Sequence, residues 1–261
     1  MITVKLFDKV SFEGFTLVEG FPGIGLVGPM AISYMIDKLG MQYCGYIESD
    51  EFPPLVSIHD GTPMPPVRLY INEKLKLVTV FAEFAIPVKM TYDLASELQK
   101  LISAEKIAKI ISIGGMPSRI PIQMDDNPDD QAGAQNEQQA KVFAITSLKK
   151  LDAEVKKAGL SSVSEGVATG ISAMLLINAA RSNVPDITVL VPVDQNIVDP
   201  RYAEQAIKAI DSLAELKIDT TELDREAKEV EAKIREMIKK SKESHESLKQ
   251  ATDSAGPSMY A

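Results

Sequence analysis

Phe15-Thr-Leu-Val-Glu-Gly-Phe-Pro-Gly-Ile-Gly-Leu-Val-Gly-Pro29 decides the fold. Its first half, Phe15–Phe21, is rich in β-formers and predicts a strand. Glycines at 23, 25 and 28 then permit a sharp turn, and Ala31, Tyr34, Met35 and Leu39 follow at helical spacing. Strand, tight turn and helix together open an α/β unit.

The alternation continues outward from that stretch. Thr3–Phe7, Gln42–Glu48, Leu55–His59, Val142–Ile145, Val163–Val167 and Ile187–Val193 read as strands. Val67–Ile71 and Leu75–Phe81 read as a hairpin around Asn72-Glu-Lys74. Ile107–Ile113 has the apolar run of a buried strand and is expected to end at Gly114-Gly115. Helices are expected from Thr91, as N-cap, to Ala104, over a charged stretch ending at Lys157, and from Gly170 to Arg181. A further helix is expected over Pro200–Leu216, with proline in its first turn, where it is tolerated. Strands alternating with helices imply a largely parallel sheet in a three-layer α/β/α core over residues 1–218. Ser118 to Gln139 reads as a long polar loop.

The C-terminal stretch differs. Over 219–250, Leu223, Ala227, Val230, Ile234, Met237 and Leu248 share one stripe at alternating spacings of four and three, interrupted by Ser241 and Ser244. Charged residues fill most other positions, so this is a coiled-coil-like helix or one face laid on a body. Residues 251–261 form a small polar tail with a Gly-Pro break, expected to be flexible. The tail ends in Met259-Tyr260-Ala261, an apolar residue and a ring beside the terminal carboxylate. That combination suits a docking peptide, whose tip fills a pocket while a lysine or backbone N–H groups take the carboxylate.

Composition narrows the function classes. The chain has 261 residues, 45% of them apolar, and a net charge of −9, which disfavours a sequence-independent nucleic-acid binder. One cysteine, Cys44, allows no intrachain disulfide and suits a reducing compartment. The opening residues read as a strand and no run is apolar and long enough to span a bilayer. A cytoplasmic protein without a membrane or nucleic-acid partner is expected.

Gly23-Ile-Gly-Leu-Val-Gly28 matches G-x-G-x-x-G after a strand and before a helix, with Glu48 about twenty residues on. The alternative reading is therefore a nucleotide- or nucleoside-binding enzyme using this turn. Pro22 and Pro29 bracket the glycines, however, and Pro29 removes an N–H; a structural turn needs only close packing. Glu51 and Glu83 could line a crevice near Gly114-Gly115, but their spacing specifies no acid or base. Asp125, Asp126, Asp129 and Asp130 lack the spacing and closing glutamate of a calcium loop. His59 and His245 form no ligand pair, and Ser118, Ser172 and Cys44 sit in no nucleophile elbow. Neither catalysis nor a cofactor or metal is expected.

The Phe21-Pro-Gly-Ile-Gly-Leu-Val-Gly28 turn, Glu51-Phe-Pro-Pro54, Ile111-Ser-Ile-Gly-Gly115, Gly166-Val-Ala-Thr-Gly170 and the acidic terminal helix occur in this order. Together, over roughly residues 10 to 240, they resemble the proteasome assembly chaperone family, specifically its archaeal homologues. The resemblance implies a fold like that of nucleoside phosphorylases and hydrolases without their catalytic residues, in a protein that forms oligomers, with itself or a paralogue. It also gives the tail a meaning, because Met259-Tyr260-Ala261 fits the hydrophobic–tyrosine–any-residue (HbYX) motif of proteasome activators and some assembly chaperones. In that resemblance Met259 is the apolar anchor, Tyr260 packs and hydrogen-bonds, and the Ala261 carboxylate meets a pocket lysine between α-ring subunits of the 20S core. The implied role is a non-enzymatic assembly chaperone or ATP-independent proteasome activator.

Overall fold

The computed structural model describes residues 1–7, 10–117, 141–195, 197–223 and 225. Residues Met1–Thr220 form one compact unit; of the second, Thr221–Ala261, only Thr221, Glu222, Leu223 and Arg225 are described, all helical. The remainder of the expected helix over 219–250 and all of the tail over 251–261 lie outside the described residues.

The first unit is built on a mixed sheet. Its strands are β1 (Ile2–Leu6), β2 (Thr16–Gly20), β3 (Gln42–Ser49), β6 (Val67–Asn72), β7 (Leu77–Ala82), β8 (Lys109–Pro117), β9 (Phe143–Thr146), β10 (Ser161–Ser162) and β11 (Asp186–Val193). They lie in the order β1-β3-β6-β7-β2-β8-β11-β9-β10. The centre, β7-β2-β8-β11, is parallel throughout. These strands are mostly apolar, as burial on both faces demands, with single polar residues among the apolar ones; every residue of β7 is buried. The hairpin β6–β7 and the pairing of β3 with β1 add an antiparallel wing. A separate small hairpin joins β4 (Ser57–His59) to β5 (Thr62–Met64).

Helices cover both faces. α1 (Val27–Lys38) packs with α5 (Pro200–Ala214) on one side, and α2 (Thr91–Ala104) packs with α4 (Gly170–Ser182) on the other. A short helix, α3 (Asp152–Lys157), lies beside β10. Strand alternation sorts the core between layers. Leu17 and Ile110 join Leu94, Leu98 and Leu175 in one cluster, while their buried neighbours Val18 and Ile111 stand outside it.

Several local expectations shift. Thr91 is the first helical residue of α2 rather than its cap; Met90 precedes it without a side-chain cap bond. Asp199, by contrast, caps α5 by accepting from the Arg201 N–H at 2.9 Å, with Pro200 following it in the first turn. β8 runs through Gly114-Gly115 instead of ending there. The strand expected at Val163–Val167 does not form. Val163 makes one backbone bond to Ala144, and Ser164–Thr169 are then exposed, with Glu165-Gly166 breaking the alternation. β5 had a readable signal in Asp60-Gly61, whose φ of +48° and +74° suit a two-residue hairpin turn.

A polar row runs through the parallel centre under α4. Glu19 on β2 stands opposite Ser112 on β8, and Ser112 opposite Thr188 on β11, with Asp186 two residues earlier on the same face. All four are buried. Ser172 and Ser112 lie beside Glu19 and ease its charged form a little, yet burial dominates and pushes its carboxyl up. Asp186 is raised well above the usual range, by burial first and then by the Glu19 charge. Glu19 Oε1, Ser112 Oγ, Thr188 Oγ1 and both Asp186 carboxyl oxygens complete no hydrogen bond of good geometry.

The folded state thus holds these protons to higher pH than the unfolded chain does. Their stabilising contribution is complete below the unfolded values near about 4 and is lost as pH rises through the folded ones. Wild type is expected to lose stability relative to Glu19→Gln as pH rises above about 5, by at most about 1.4 kcal/mol per pH unit inside the window. Urea unfolding across pH reads the difference, and parallel profiles would count against it.

Candidate functional site

Ligands of open α/β sheets gather where parallel strands end, and here the chain itself fills that place. After β2 the backbone makes a short 3-10 turn over Ile24–Leu26, closed by the Leu26 N–H donating to the Gly23 carbonyl at 3.1 Å. Gly25 takes φ +70° and Leu26 φ +52°, and the turn folds down onto β8 and β11. A Cβ on Gly115 would stand 2.0 Å from the Ile24 carbonyl oxygen, and one on Gly25 3.1 Å from the Val193 side chain. Gly20 and Gly28 approach just as closely, since a Cβ on Gly28 would lie 2.8 Å from the Gly20 Cα. Gly25 and Gly28 are thus committed to packing. Gly23 has open space and an extended backbone.

The acidic partner that a dinucleotide fold would need is elsewhere. In such a fold the next strand lies beside the first, but β3 is three positions from β2. At about 4.8 Å per strand that places Glu48 roughly 14 Å to the side. Glu48 instead faces Lys5 of β1 at 3.6 Å, both half-exposed.

Glu51 and Glu83 are likewise engaged. Glu51 pairs with Lys89 at 3.0 Å on the surface. Glu83 accepts from Arg68 Nη2 at 2.7 Å and lies 2.8 Å from His59 Nε2. Burial alone would raise the Glu83 carboxyl, but hydrogen bonds from Arg68 and Ser57, with the charges of Arg68 and His59, hold it below the usual range. Arg68 is 1% exposed; its Nη1 donates to the Pro65 carbonyl at 3.0 Å, and its guanidinium lies over the rings of Tyr70 and Phe81. This cluster ties the β4–β5 hairpin to the end of β7. Its Arg–Glu core is a neutralised pair, suited to holding structure.

Cys44 is buried, and burial pushes its thiol up to about 12, which makes it a poor nucleophile at neutral pH. Ser172 lies in the first turn of α4 beside Glu19. Among the described residues no group of three or more His, Cys, Asp or Glu could hold a metal, and no helix is long and apolar enough to cross a membrane. Ser118, His245, the aspartates at 125–130 and the expected docking residues Met259, Tyr260 and Ala261 lie outside the described residues. Sequence reading missed Arg68 and the Glu19–Asp186 row. The available signal was a charge at an inward position of an apolar strand, as in Val67-Arg-Leu-Tyr-Ile71 and Thr16-Leu-Val-Glu-Gly20.

The model of the PAC2 family matches residues 17–238. Uncharacterized protein MJ0106 of Methanocaldococcus jannaschii is 28% identical over 229 residues, 88% of this chain and 87% of that protein. Among solved structures, Pyrococcus furiosus PbaA, an archaeal homologue of proteasome-assembly chaperone, superposes with a TM-score of 0.80 at 24% identity, covering 97% of this chain and 99% of that one. Pyrococcus furiosus PbaB, an archaeal proteasome activator, superposes with a TM-score of 0.72 at 19% identity, covering 90% and 98%. At these identities the superpositions establish the fold.

Gly115→Ala is expected to cost the fold at least about 2 kcal/mol, because the methyl group meets backbone that cannot step aside. Gly23→Ala, with nothing within 4 Å of its Cβ, is expected to cost far less. Thermal unfolding of the two variants compares them directly, and equal melting temperatures would overturn the packing role of the turn.

Proposed function

The chain belongs to the PAC2 family, and from that premise we propose that it binds the 20S proteasome core through its C-terminal Met259-Tyr260-Ala261. Each tip would enter a pocket between neighbouring subunits of the core's α-ring. Met259 would fill the apolar part, Tyr260 would pack and hydrogen-bond, and the Ala261 carboxylate would meet a lysine. The role is binding rather than catalysis, in the cytoplasm, as an assembly chaperone homologue or an ATP-independent activator. The observation that carries this reading is the coincidence, in one chain, of a family body and a hydrophobic–tyrosine–residue terminus. The fold likeness to PbaA and PbaB supports it.

The physics favours several copies acting together. A three-residue tip buries little surface, so a single tail binds weakly. A homo-oligomer presenting several tails gains by effective concentration, up to about 10²–10⁴-fold. The eleven residues from 251 to 261 span at most about 3.5 Å each when extended, enough for tips to reach separate pockets.

A pull-down of purified archaeal 20S core by the full chain is expected to succeed, and one by a chain ending at Ser258 to fail. The fold and oligomeric state of the shortened chain should be unchanged by circular dichroism and sedimentation. Equal binding by both chains would sink the tail reading. Rates of peptide hydrolysis by the core, with and without the full chain, then separate activation from assembly.

A further inference from the structure

The exposed apolar side chains of the body gather at one end of the sheet. Val88, beyond the carboxyl end of β7, is 90% exposed. Val167, just before α4, whose first turn sets Ser172 beside Glu19 near the end of β2, is 93% exposed. The start of α2 adds Tyr92 and the loop into α5 adds Val198, both more than half exposed. The segment between β3 and β6 opens at the same end, because β3 runs parallel to β7, and it adds Val56 and Ile58. The glycine turn adds Ile24 and Leu26. At the opposite end only Phe7 and Leu75 are comparable among the described residues.

Two further observations concern the same end. Leu26 is the one apolar residue held at positive φ among the described non-glycine residues, and it is 42% exposed. A bulky residue in that region is strained, and burial of its own side chain does not repay the strain. Such outliers persist where surrounding structure enforces them, here the seating of the turn on β8 and β11, and this one leaves the Leu26 side chain exposed at the same end. The second observation is charge. The loops 21–26, 50–66, 83–90, 163–169 and 194–199 hold seven Asp and Glu, of which Asp50, Glu51, Glu83 and Asp199 are paired with the Met1 ammonium, Lys89, Arg68 and Arg201, so the end keeps a net negative charge of about three. The loops at the other end, 10–15, 73–76, 105–108, 147–151 and 215–220, hold five Asp and Glu against six Lys.

We propose that this acidic, apolar end of the sheet is a second docking surface, whose partner is a protein surface with apolar side chains among lysines and arginines. Charge complementarity selects that class, because the same carboxylates repel nucleic acid and anionic lipid. Contacts among apolar side chains supply the affinity, and the acidic rim supplies steering and selectivity. The proposal rests on residues of the body alone and not on the C-terminal motif, so either reading can fail without the other.

The test uses the full chain and a fluorescent amphipathic helical peptide of leucines and lysines, with a leucine–glutamate peptide of the same pattern as control. Anisotropy is expected to show binding of the lysine peptide only, weakening as salt rises. The double variant Val88→Asp/Val167→Asp removes no buried contact of the fold and should weaken binding by roughly tenfold or more. Leu75→Asp, at the other end, should leave it unchanged. Absence of binding, equal binding of both peptides, or indifference to the double variant overturns the proposal. Sedimentation of the same proteins covers the remaining occupant. A wild-type oligomer that the double variant dissociates would assign this end to a second copy of the chain and overturn a foreign partner.

Discussion

The Ile24 carbonyl resting on the bare Cα of Gly115 is the contact on which the centre of this fold depends. A side chain at position 115 would meet that oxygen at 2.0 Å, so the turn can sit there only over glycine. Because the turn sits there, α1 can start at Val27 with Gly28 against Gly20. The close approach in turn lets Ala31, Ile32 and Met35 reach full burial. Leu26 in the left-handed region costs roughly 1–2 kcal/mol. Full burial of Val27, Ile32 and Met35 contributes about 1.5–3 kcal/mol each and more than offsets it.

Two buried charged groups in the same sheet are handled in opposite ways. Arg68 keeps its charge because Glu83, the Pro65 carbonyl and two aromatic faces replace the lost water. Glu19 and Asp186 have no cation beside them among the causes that shift them, so burial favours their neutral forms. The antiparallel wing is thus tied by an ion pair that rising pH leaves intact, while the parallel centre is held best when its carboxyls are protonated. Acid–base sensitivity is concentrated under α4.

Legibility in the sequence followed how local the cause was. α2 was readable to within one residue of its start because Leu94, Leu98, Leu101 and Ile102 repeat at helical spacing. The central strands were readable as apolar runs. Strand order was not, since nothing local in Gln42–Ser49 says that two strands intervene between it and β2. That unreadable order is what separates Glu48 from the glycine turn and leaves the G-x-G-x-x-G match a packing device. Val163–Val167 failed for the converse reason: β-propensity without a partner strand to bury against does not make a strand. The proposed docking motif stands in the sequence alone, at residues 259–261 outside the described residues, while the acidic, apolar end emerges only from the structure, because its members come from five separate loops.

A crevice filled by its own backbone bears on what kind of work such a body can do. In an α/β enzyme the turn after the first strand stands off from the sheet so that a phosphate can lie on exposed N–H groups. Here the turn is seated on Gly115 and Val193, and the glycines that give this room to a ligand elsewhere give it to Ile24 and α1 instead. Folding free energy is thereby placed where ligand-binding free energy would otherwise arise. Weak surface contacts become specific only in combination. Under the proposed docking, a body that keeps its shape would preserve the geometry that several simultaneous contacts need.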